Sequence, residues 1–218
     1  MNRIPAIAPI ARCIVPLICK IWIDRVKGLE NLPKDKQFII APNHASYIEH
    51  IMISSVVIPH LNKKLLFLAK KEHFEDMTQR VWHRLWNKYI TYVPIDRNKG
   101  EDALNTTLSY LKKGAVIVVY PEGTRTLTGK LQKGKTGVAR LALWSKAPVV
   151  PLGIIGTFQI LPKGKKIPRM KKATLNFGKP MYFDEYYGKK ITKTLLREIT
   201  NKVMKEIATL SNQRYNFL

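Results

Sequence analysis

The stretch Val-Ile-Val-Val-Tyr-Pro-Glu-Gly-Thr-Arg, residues 116–125, contains the strongest β-strand pattern of the chain and decides its fold class. Its Val and Ile residues follow one another without strict alternation, which is typical of a strand buried on both faces. Pro121 ends the strand, and Gly123 allows a ligand to approach the backbone closely. A helical pattern over 100–113 stops at Gly114, just before the strand. A helix, a buried strand and a polar turn in this order indicate an α/β unit.

Similar apolar runs recur along the chain, with helical patterns between them. The predicted strands are 37–41, 65–69, 90–94, 115–120, 149–155 and 173–177, and the predicted helices are 47–58, 76–88, 100–113, 134–146 and 191–211. This alternation predicts a single α/β domain whose central sheet is largely parallel or mixed and is flanked by helices. Ligands of such sheets bind beyond the carboxyl ends of the strands, which directs attention to the residues that follow positions 41, 94 and 120.

Composition limits the classes of protein that the chain can belong to. Apolar residues make up 45% of the 218 residues and charged residues 24%, which excludes wholesale disorder. The 38 lysine and arginine residues exceed the 15 aspartate and glutamate residues, and the net charge is +23. Such a surface attracts polyanions, either nucleic acid or an anionic membrane. The two cysteines exclude a disulfide framework and a cysteine-rich metal site.

The N-terminal residues are apolar but interrupted. Arg12 and three prolines divide the first 23 residues, whereas a membrane-spanning helix needs about 20 continuous apolar residues. The same interruptions argue against a secretory signal. We therefore expect residues 1–30 to form a membrane-interface segment, with Trp22 at the level of the lipid headgroups, and residues 31–218 to form the main domain. An N-terminal arm packed on its own core is the alternative.

A histidine and an acid follow the first predicted strand, in Ala-Pro-Asn-His-Ala-Ser-Tyr-Ile-Glu-His, residues 41–50. His44 and Glu49 can meet only if His44 lies before the helix and Glu49 lies in its first turn. Ser46 and Glu49 match a capping box, so Ser46 is the predicted N-cap. A carboxylate on one imidazole nitrogen would leave the other nitrogen to act as a base. The alternative is that Glu49 only caps the helix and His44 is an ordinary loop residue.

Two arginines follow other predicted strands. Arg125 ends the stretch at 116–125, and Arg97 ends Tyr-Val-Pro-Ile-Asp-Arg, residues 92–97. The planar guanidinium group suits a phosphate monoester. Read alone, Arg125 would belong to a charged surface turn, and Arg97 would pair with Asp96 or Asp102.

Taken in order, these segments resemble the 1-acylglycerol-3-phosphate acyltransferases (lysophosphatidic acid acyltransferases) within the glycerolipid acyltransferase family. The resemblance extends over residues 37–155. Its motifs stand here as Asn43-His44 with Glu49, Ile95-Asp96-Arg97, the stretch 121–125, and Val149-Val150-Pro151. The family's usual aspartate is Glu49 in this chain. We expect a small shift of the helix start to absorb the additional methylene group and to keep the carboxylate on the imidazole.

The resemblance implies transfer of an acyl chain from acyl-CoA or acyl carrier protein to the free hydroxyl of a lysophospholipid. The expected acceptor is 1-acylglycerol-3-phosphate, and the product is then phosphatidic acid. The implied catalytic residues are His44 as the base and Glu49 as its partner. The implied substrate-binding residues are Arg97, Glu122, Gly123, Thr124, Arg125, Lys133 and Pro151. No metal or cofactor is expected besides the thioester co-substrate.

The expected location is the cytoplasmic face of a membrane, with peripheral or monotopic attachment and with membrane phospholipids as partners.

Another acceptor, such as glycerol-3-phosphate or a different lysolipid, stays open. A non-enzymatic protein that binds membranes or nucleic acid is the second alternative, because the run 163–172 carries six positive charges in ten residues and Trp82, Trp86 and Trp144 are available for stacking. Nucleic-acid binding is not expected, since the chain contains none of the known nucleic-acid-binding motifs.

Residues 129–136 match the phosphate-loop pattern G-x-x-x-x-G-K-T. A phosphate loop begins where a strand ends, whereas the preceding predicted strand ends at position 120. We therefore do not expect a nucleoside triphosphatase.

Overall fold

The computed structural model describes residues 15–63, 65–70, 90–95 and 100–217, and it shows a seven-stranded sheet with helices on both faces. The strands are β1 (Ile23–Lys27), β2 (Phe38–Pro42), β3 (Leu65–Lys70), β4 (Ile90–Ile95), β5 (Val116–Val118), β6 (Val149–Ile155) and β7 (Ala173–Phe177). The helices are α1 (Ile48–Leu61), α2 (Gly100–Lys112), α3 (Gly137–Ser145), α4 (Thr157–Ile160) and α5 (Lys193–Leu210). Two short 3-10 helices cover Leu29–Asn31 and Asp184–Tyr186.

The sheet is mixed and mostly parallel, within the range that the sequence predicted. Its strand order is β1-β7-β6-β2-β5-β3-β4, and only β6 and β7 pair antiparallel. β2 lies between β5 and β6 and runs parallel to both. The carboxyl ends of these three strands therefore meet at one edge, where the loops that follow them can combine their side chains.

The core has two layers because the side chains of each strand alternate between the faces of the sheet. Phe38 and Ile40 of β2 pack on one face with α1, and Ile39 and Ala41 pack on the other face with α3 and α5. All four side chains are fully buried. A strand buried on both faces has no polar face, which explains the unbroken apolar runs in the sequence.

All six predicted strands are present, and β6 and β7 have the predicted bounds. The helices predicted over 47–58, 100–113, 134–146 and 191–211 are also present, with ends that differ by up to three residues. The helix predicted over 76–88, with Trp82 and Trp86, lies outside the described residues.

The sequence did not predict β1 or the short helix α4. β1 has the sequence Ile-Asp-Arg-Val-Lys and lies at an edge of the sheet, where charged side chains are normal and apolar content is low. It falls within the segment 1–30, so part of that segment belongs to the sheet and pairs with β7. In the described part of the chain, no helix is both long enough and apolar enough to cross a membrane.

Gly153 in β6 provides a test of this packing. A Cβ atom at Gly153 would collide with the backbone of Leu210 and Ser211 at the end of α5. We expect Gly153→Ala to lower the free energy of unfolding by about 2 kcal/mol or more, because neither backbone can move without disturbing the core. Gly137→Ala is the matched control, since a Cβ there meets nothing within 4 Å and should raise stability by about 0.5 kcal/mol. Urea unfolding measures the free energy of unfolding of both variants. Equal effects of the two changes would contradict the close contact between Gly153 and the end of α5.

Candidate active site

The loops after β2, β5 and β6 bring the candidate side chains together at the carboxyl edge of the sheet. His44 follows β2, and its Nδ1 lies 2.8 Å from Oε2 of Glu49, the second residue of α1. The His44 side chain is 11% exposed and the Glu49 side chain is fully buried. The predicted pair is therefore formed, with the imidazole at the surface end and the carboxylate beneath it.

Four hydrogen bonds hold the Glu49 carboxylate. In addition to the bond to His44, Oε1 accepts from the backbone N–H groups of Ala45 and Ser46, both at 2.9 Å, and from the hydroxyl of Thr157 at 2.7 Å. Burial raises the pKa of Glu49 to about 8, while the hydrogen bonds from Thr157, Ala45 and Ser46 act in the opposite direction. The charge of this carboxylate thus depends on its donors.

Ser46 makes the bonds predicted for an N-cap, although α1 begins at Ile48, one residue later than predicted. The Ser46 hydroxyl accepts from the N–H of Ile48 at 3.3 Å, and the Ser46 N–H donates to Oε1 of Glu49 at 2.9 Å. Tyr47, which directly precedes α1, makes no side-chain capping bond. The Ser46 hydroxyl also donates to the carbonyl of Leu161 at 2.7 Å. The sequence could not show this last bond, because Leu161 is 115 residues away.

Asn43 fixes the loop before His44. Its buried side-chain amide donates to the carbonyl of Ile154 at 2.9 Å, and its side-chain oxygen accepts from the N–H of Ile154 at 2.7 Å. The Asn43 side chain thereby satisfies both the backbone N–H and the backbone carbonyl of Ile154, a residue of β6. The bonds tie the end of β2 to the end of β6 and set the backbone position from which His44 projects.

Glu122 fixes the same loop from the opposite side. Its Oε1 accepts from the N–H of His44 at 2.8 Å, and its Oε2 accepts from the N–H of Gln132 at 2.9 Å. The carbonyl of His44 accepts from the N–H of Thr126 at 2.9 Å. Burial raises the pKa of Glu122 to about 7, against the effect of the bonds from His44 and Gln132. The structure therefore places Glu122 as a link between two loops, and its predicted contact with substrate stays a prediction.

An aromatic stack supports the imidazole. The His44 ring lies 3.7 Å from the Tyr120 ring, centroid to centroid, with an interplanar angle of 24°. His50 stacks on Tyr120 at 5.3 Å and on Phe67 at 4.7 Å. Burial raises the pKa of Tyr120, so its ring is a neutral phenol. The rings limit rotation of His44 and exclude water from one face of it.

Arg125 lies over the ring of Tyr47, with its guanidinium carbon 3.4 Å from the ring centroid. Partial burial lowers the pKa of Arg125, while the neighbouring Tyr47 hydroxyl and Glu49 carboxyl group act in the opposite direction. The contact with the ring positions the guanidinium beside the first turn of α1, where it can bind an anion. The structure thus places this cation next to the loop that contains His44.

The other predicted binding residues lie in three different environments. Gly123 has a φ of 73°, a left-handed conformation that favours glycine, and Thr124 is exposed. Lys133 is an exposed side chain next to Gln132. Pro151 is buried within β6, opposite Ala41 of β2. Arg97 lies outside the described residues.

Several residues of the site were missed or were given no role by the sequence analysis. Thr157 is the clearest case, because it follows β6 at the same edge of the sheet. Extending the search beyond the carboxyl ends of strands to position 155 would have found it. Tyr47 lies within the quoted motif but has no charge or nucleophile to indicate a role. Gln132 is ten residues from Glu122, and only the folded loop brings them together.

The phosphate-loop pattern has no phosphate-loop structure. Strand β5 ends at Val118, eleven residues before Gly129, and a Cβ at Gly134 would meet Met204 and Thr200 of α5. This glycine is needed for packing. Within the described ranges, no group of three histidine, cysteine or acidic side chains is placed to hold a metal ion.

This arrangement can remove a proton from a hydroxyl group. The buried carboxylate holds Nδ1 of the imidazole, so Nε2 is the nitrogen that would accept a proton. The guanidinium beside the same loop favours an anionic molecule as the carrier of that hydroxyl.

The chain is similar to known acyltransferases. The model of the acyltransferase family matches residues 24–155. The 1-acyl-sn-glycerol-3-phosphate acyltransferase of Bacillus subtilis is 29% identical over 191 residues, which cover 87% of this chain and 88% of the relative. The chloroplastic enzyme BAT2 of Brassica napus is 28% identical over 189 residues, and the match covers 85% of this chain but 51% of the relative.

A solved structure has the same fold. The crystal structure of the 1-acyl-sn-glycerophosphate (LPA) acyltransferase PlsC from Thermotoga maritima superposes with a TM-score of 0.68 at 26% sequence identity. The superposition covers 94% of this chain and 81% of that protein.

Proposed function

The chain belongs to the acyltransferase family, and from this we propose that it transfers an acyl chain from a thioester to the free hydroxyl of 1-acylglycerol-3-phosphate, which gives phosphatidic acid. The chain is an O-acyltransferase, and the names of its relatives support the acceptor. The observation that carries the proposal is the 2.8 Å contact between His44 and the fully buried Glu49. No other pair in the described residues combines a carboxylate of this burial with an imidazole.

The proposed reaction begins with proton removal by His44. Nε2 of His44 takes the proton of the acceptor hydroxyl while the hydroxyl oxygen attacks the thioester carbonyl. Glu49 accepts from Nδ1–H and stabilises the imidazolium that forms. The tetrahedral intermediate then expels the thiolate, which takes the proton from the imidazolium. The products are an ester and a free thiol, and His44 returns to its starting state.

The acyl group passes directly between the substrates in this scheme. Cys19 is buried in the apolar core near α1, and burial raises the pKa of its thiol. A nucleophilic cysteine needs a lowered pKa and a neighbouring base. Cys13 lies outside the described residues. The acceptor alcohol is therefore the proposed nucleophile.

Arg125 is the proposed ligand of the acceptor phosphate, together with Arg97 and Lys133. Its guanidinium is fixed against Tyr47, so little side-chain entropy is lost when a phosphate binds. Holding the phosphate there would bring the neighbouring hydroxyl to His44, and such positioning contributes strongly to catalysis. Glu122 supports the same geometry because it holds the backbone of His44.

The proposed donor is acyl-CoA or acyl carrier protein, since both present the same phosphopantetheine thioester. The proposed location is the surface of a membrane, at its cytoplasmic face, because the acceptor and the product are both lipids. Attachment would be peripheral or monotopic. Glycerol-3-phosphate and other lysolipids are the competing acceptors.

A purified-enzyme assay tests the proposal. Two donors with a labelled acyl chain are used, acyl-CoA and acyl carrier protein loaded with the acyl chain. Each is offered with 1-acylglycerol-3-phosphate, glycerol-3-phosphate and an uncharged lysolipid. We expect 1-acylglycerol-3-phosphate to be acylated fastest, and His44→Ala to lower kcat by about 10³-fold without loss of the fold. Preference for another acceptor would replace the proposed substrate. Substantial activity of folded His44→Ala would eliminate His44 as the base.

Replacement of Thr157 should change the pH dependence of kcat. Its hydroxyl donates to the Glu49 carboxylate and stabilises the charged form, so Thr157→Val should raise the pKa of Glu49 further above its value of about 8. The acidic limb of the kcat profile should then move to higher pH by about one unit. Thr200→Val is the control, because the buried hydroxyl of Thr200 donates to the carbonyl of Leu196 within α5. An equal loss of activity at every pH would mean that Thr157 is merely structural.

Replacement of Arg125 should change the KM for the acceptor more than the KM for the donor. Arg125→Ala should raise the acceptor KM between about 10-fold and 10²-fold, because a charge-assisted hydrogen bond to phosphate is lost. Arg125→Lys should recover part of the effect, since it keeps the charge without the planar fork. Arg140→Ala is the control, because Arg140 lies over Trp144 on α3. An increase confined to the donor KM would move the phosphate site elsewhere.

A further inference from the structure

Two segments far apart in sequence form one exposed surface with apolar side chains. We call it the basic–apolar face, and it consists of residues 17–22 and 163–172. Its exposed apolar side chains are Ile167 at 83%, Met170 at 77%, Leu17 at 64%, Ile18 at 48% and Ile21 at 43%. Large apolar side chains this exposed are unfavourable in water, and their grouping on one surface indicates a binding partner.

Hydrogen bonds join the two segments. The indole N–H of Trp22 donates to the carbonyl of Arg169 at 3.1 Å, and Nζ of Lys172 donates to the carbonyl of Lys20 at 3.2 Å. The N–H of Ala173, at the end of the second segment, donates to the carbonyl of Trp22 at 2.7 Å. The face is therefore a built surface that belongs to the sheet, through β1 and β7.

The helical residues 15–19, which overlap the first segment, have apolar side chains on both sides of the helix. Val15 and Cys19 point inward and are buried in the core beside α1. Leu17 and Ile18, in the same helical turn, point outward and are exposed. A helix at a protein–water boundary normally has a polar outer side. The apolar outer side here fits a boundary with lipid.

Exposed cations flank Ile167 and Met170 in the sequence of the second segment. The exposed cations of the second segment are Lys163, Lys165, Lys166, Arg169, Lys171 and Lys172. No aspartate or glutamate occurs between Glu122 and Asp184, so no acid of that stretch neutralises them. A row of cations with apolar side chains at its centre matches the headgroups and the acyl region of an anionic bilayer.

We propose that the basic–apolar face docks the protein on an anionic phospholipid bilayer. Cations contact the lipid phosphates, and Ile167, Met170, Leu17 and Ile18 enter the acyl region. Nucleic acid fits less well, since it binds exposed aromatic platforms, whereas the most exposed side chains of this face are aliphatic. Trp22, the aromatic residue of the face, is half-buried and its indole N–H is already bonded.

The face begins directly beside the candidate active site. Thr157 of α4 bonds to Glu49, and Leu161, just after α4, accepts from Ser46. The N–H of Arg169 in the face donates to the carbonyl of Ile160 at 2.8 Å. Docking would place the opening at His44 near the lipid surface. This consequence rests on the proposed function, whereas bilayer binding itself does not.

Vesicle sedimentation tests the face. The full chain is mixed with vesicles of phosphatidylcholine, or of phosphatidylcholine with phosphatidylglycerol. Ile167→Asn with Met170→Gln should weaken binding to the anionic vesicles by about tenfold. Lys165→Glu with Lys166→Glu should weaken it by at least about tenfold, and salt should weaken binding of the unmodified chain.

Matched controls come from the segment before α5. Ile191→Asn and the pair Lys190→Glu with Lys193→Glu change exposed residues of the same types near the opposite face of the sheet. These variants should bind vesicles like the unmodified chain. Equal effects of control and face variants would overturn the proposal, and so would equal binding to the two kinds of vesicle. Loss of DNA retention by the face variants, with vesicle binding unchanged, would assign the face to nucleic acid instead.

Acylation of a water-soluble short-chain acceptor separates this proposal from the proposed function. The face variants should keep that activity and lose activity toward acceptor in vesicles. An unmodified chain without acyltransferase activity, whose face variants still lose vesicle binding, would refute the proposed function alone. An active chain whose face variants bind vesicles normally would refute the docking face alone.

Discussion

The site depends on one buried carboxylate. Glu49 is fully buried and accepts four hydrogen bonds, from the imidazole of His44, the hydroxyl of Thr157, and the N–H groups of Ala45 and Ser46. A buried charge without partners would cost several kcal/mol, so these donors are required wherever the carboxylate is ionised. They come from the loop after β2 and from the start of α4. Glu49 therefore joins the sheet edge, the helix start and the imidazole in one network.

Glutamate in place of the family's usual aspartate keeps two roles that the sequence analysis treated as alternatives. Oε2 of Glu49 bonds to His44, while Oε1 bonds to the backbone N–H groups before α1. That a shift of the helix start accommodates the additional methylene group stays a prediction. Helix capping and support of the imidazole are thus properties of the same carboxylate.

Local patterns were sufficient for most of the fold and for the central pair. Apolar runs located six strands, because strands buried on both faces require them, and the contact of His44 with Glu49 was predicted from their spacing together with the capping-box pattern and the family resemblance. Long-range contacts were beyond such patterns. The bond between His44 and Glu122 joins residues 78 apart, and the hydroxyl of Ser46 donates to a carbonyl 115 residues away. β1 was missed because a charged edge strand has no apolar signature.

The parallel pairing of β1 with β7 has a consequence for synthesis of the protein. It joins residues 23–27 to residues 173–177, so β1 cannot pair with β7 until most of the polypeptide has left the ribosome. Contacts of such large sequence separation form late in folding. Trp22 and Arg169 come together through the same pairing. A nascent polypeptide that has not yet reached β7 therefore lacks the assembled surface, and the timing of translation delays attachment until the domain is nearly complete.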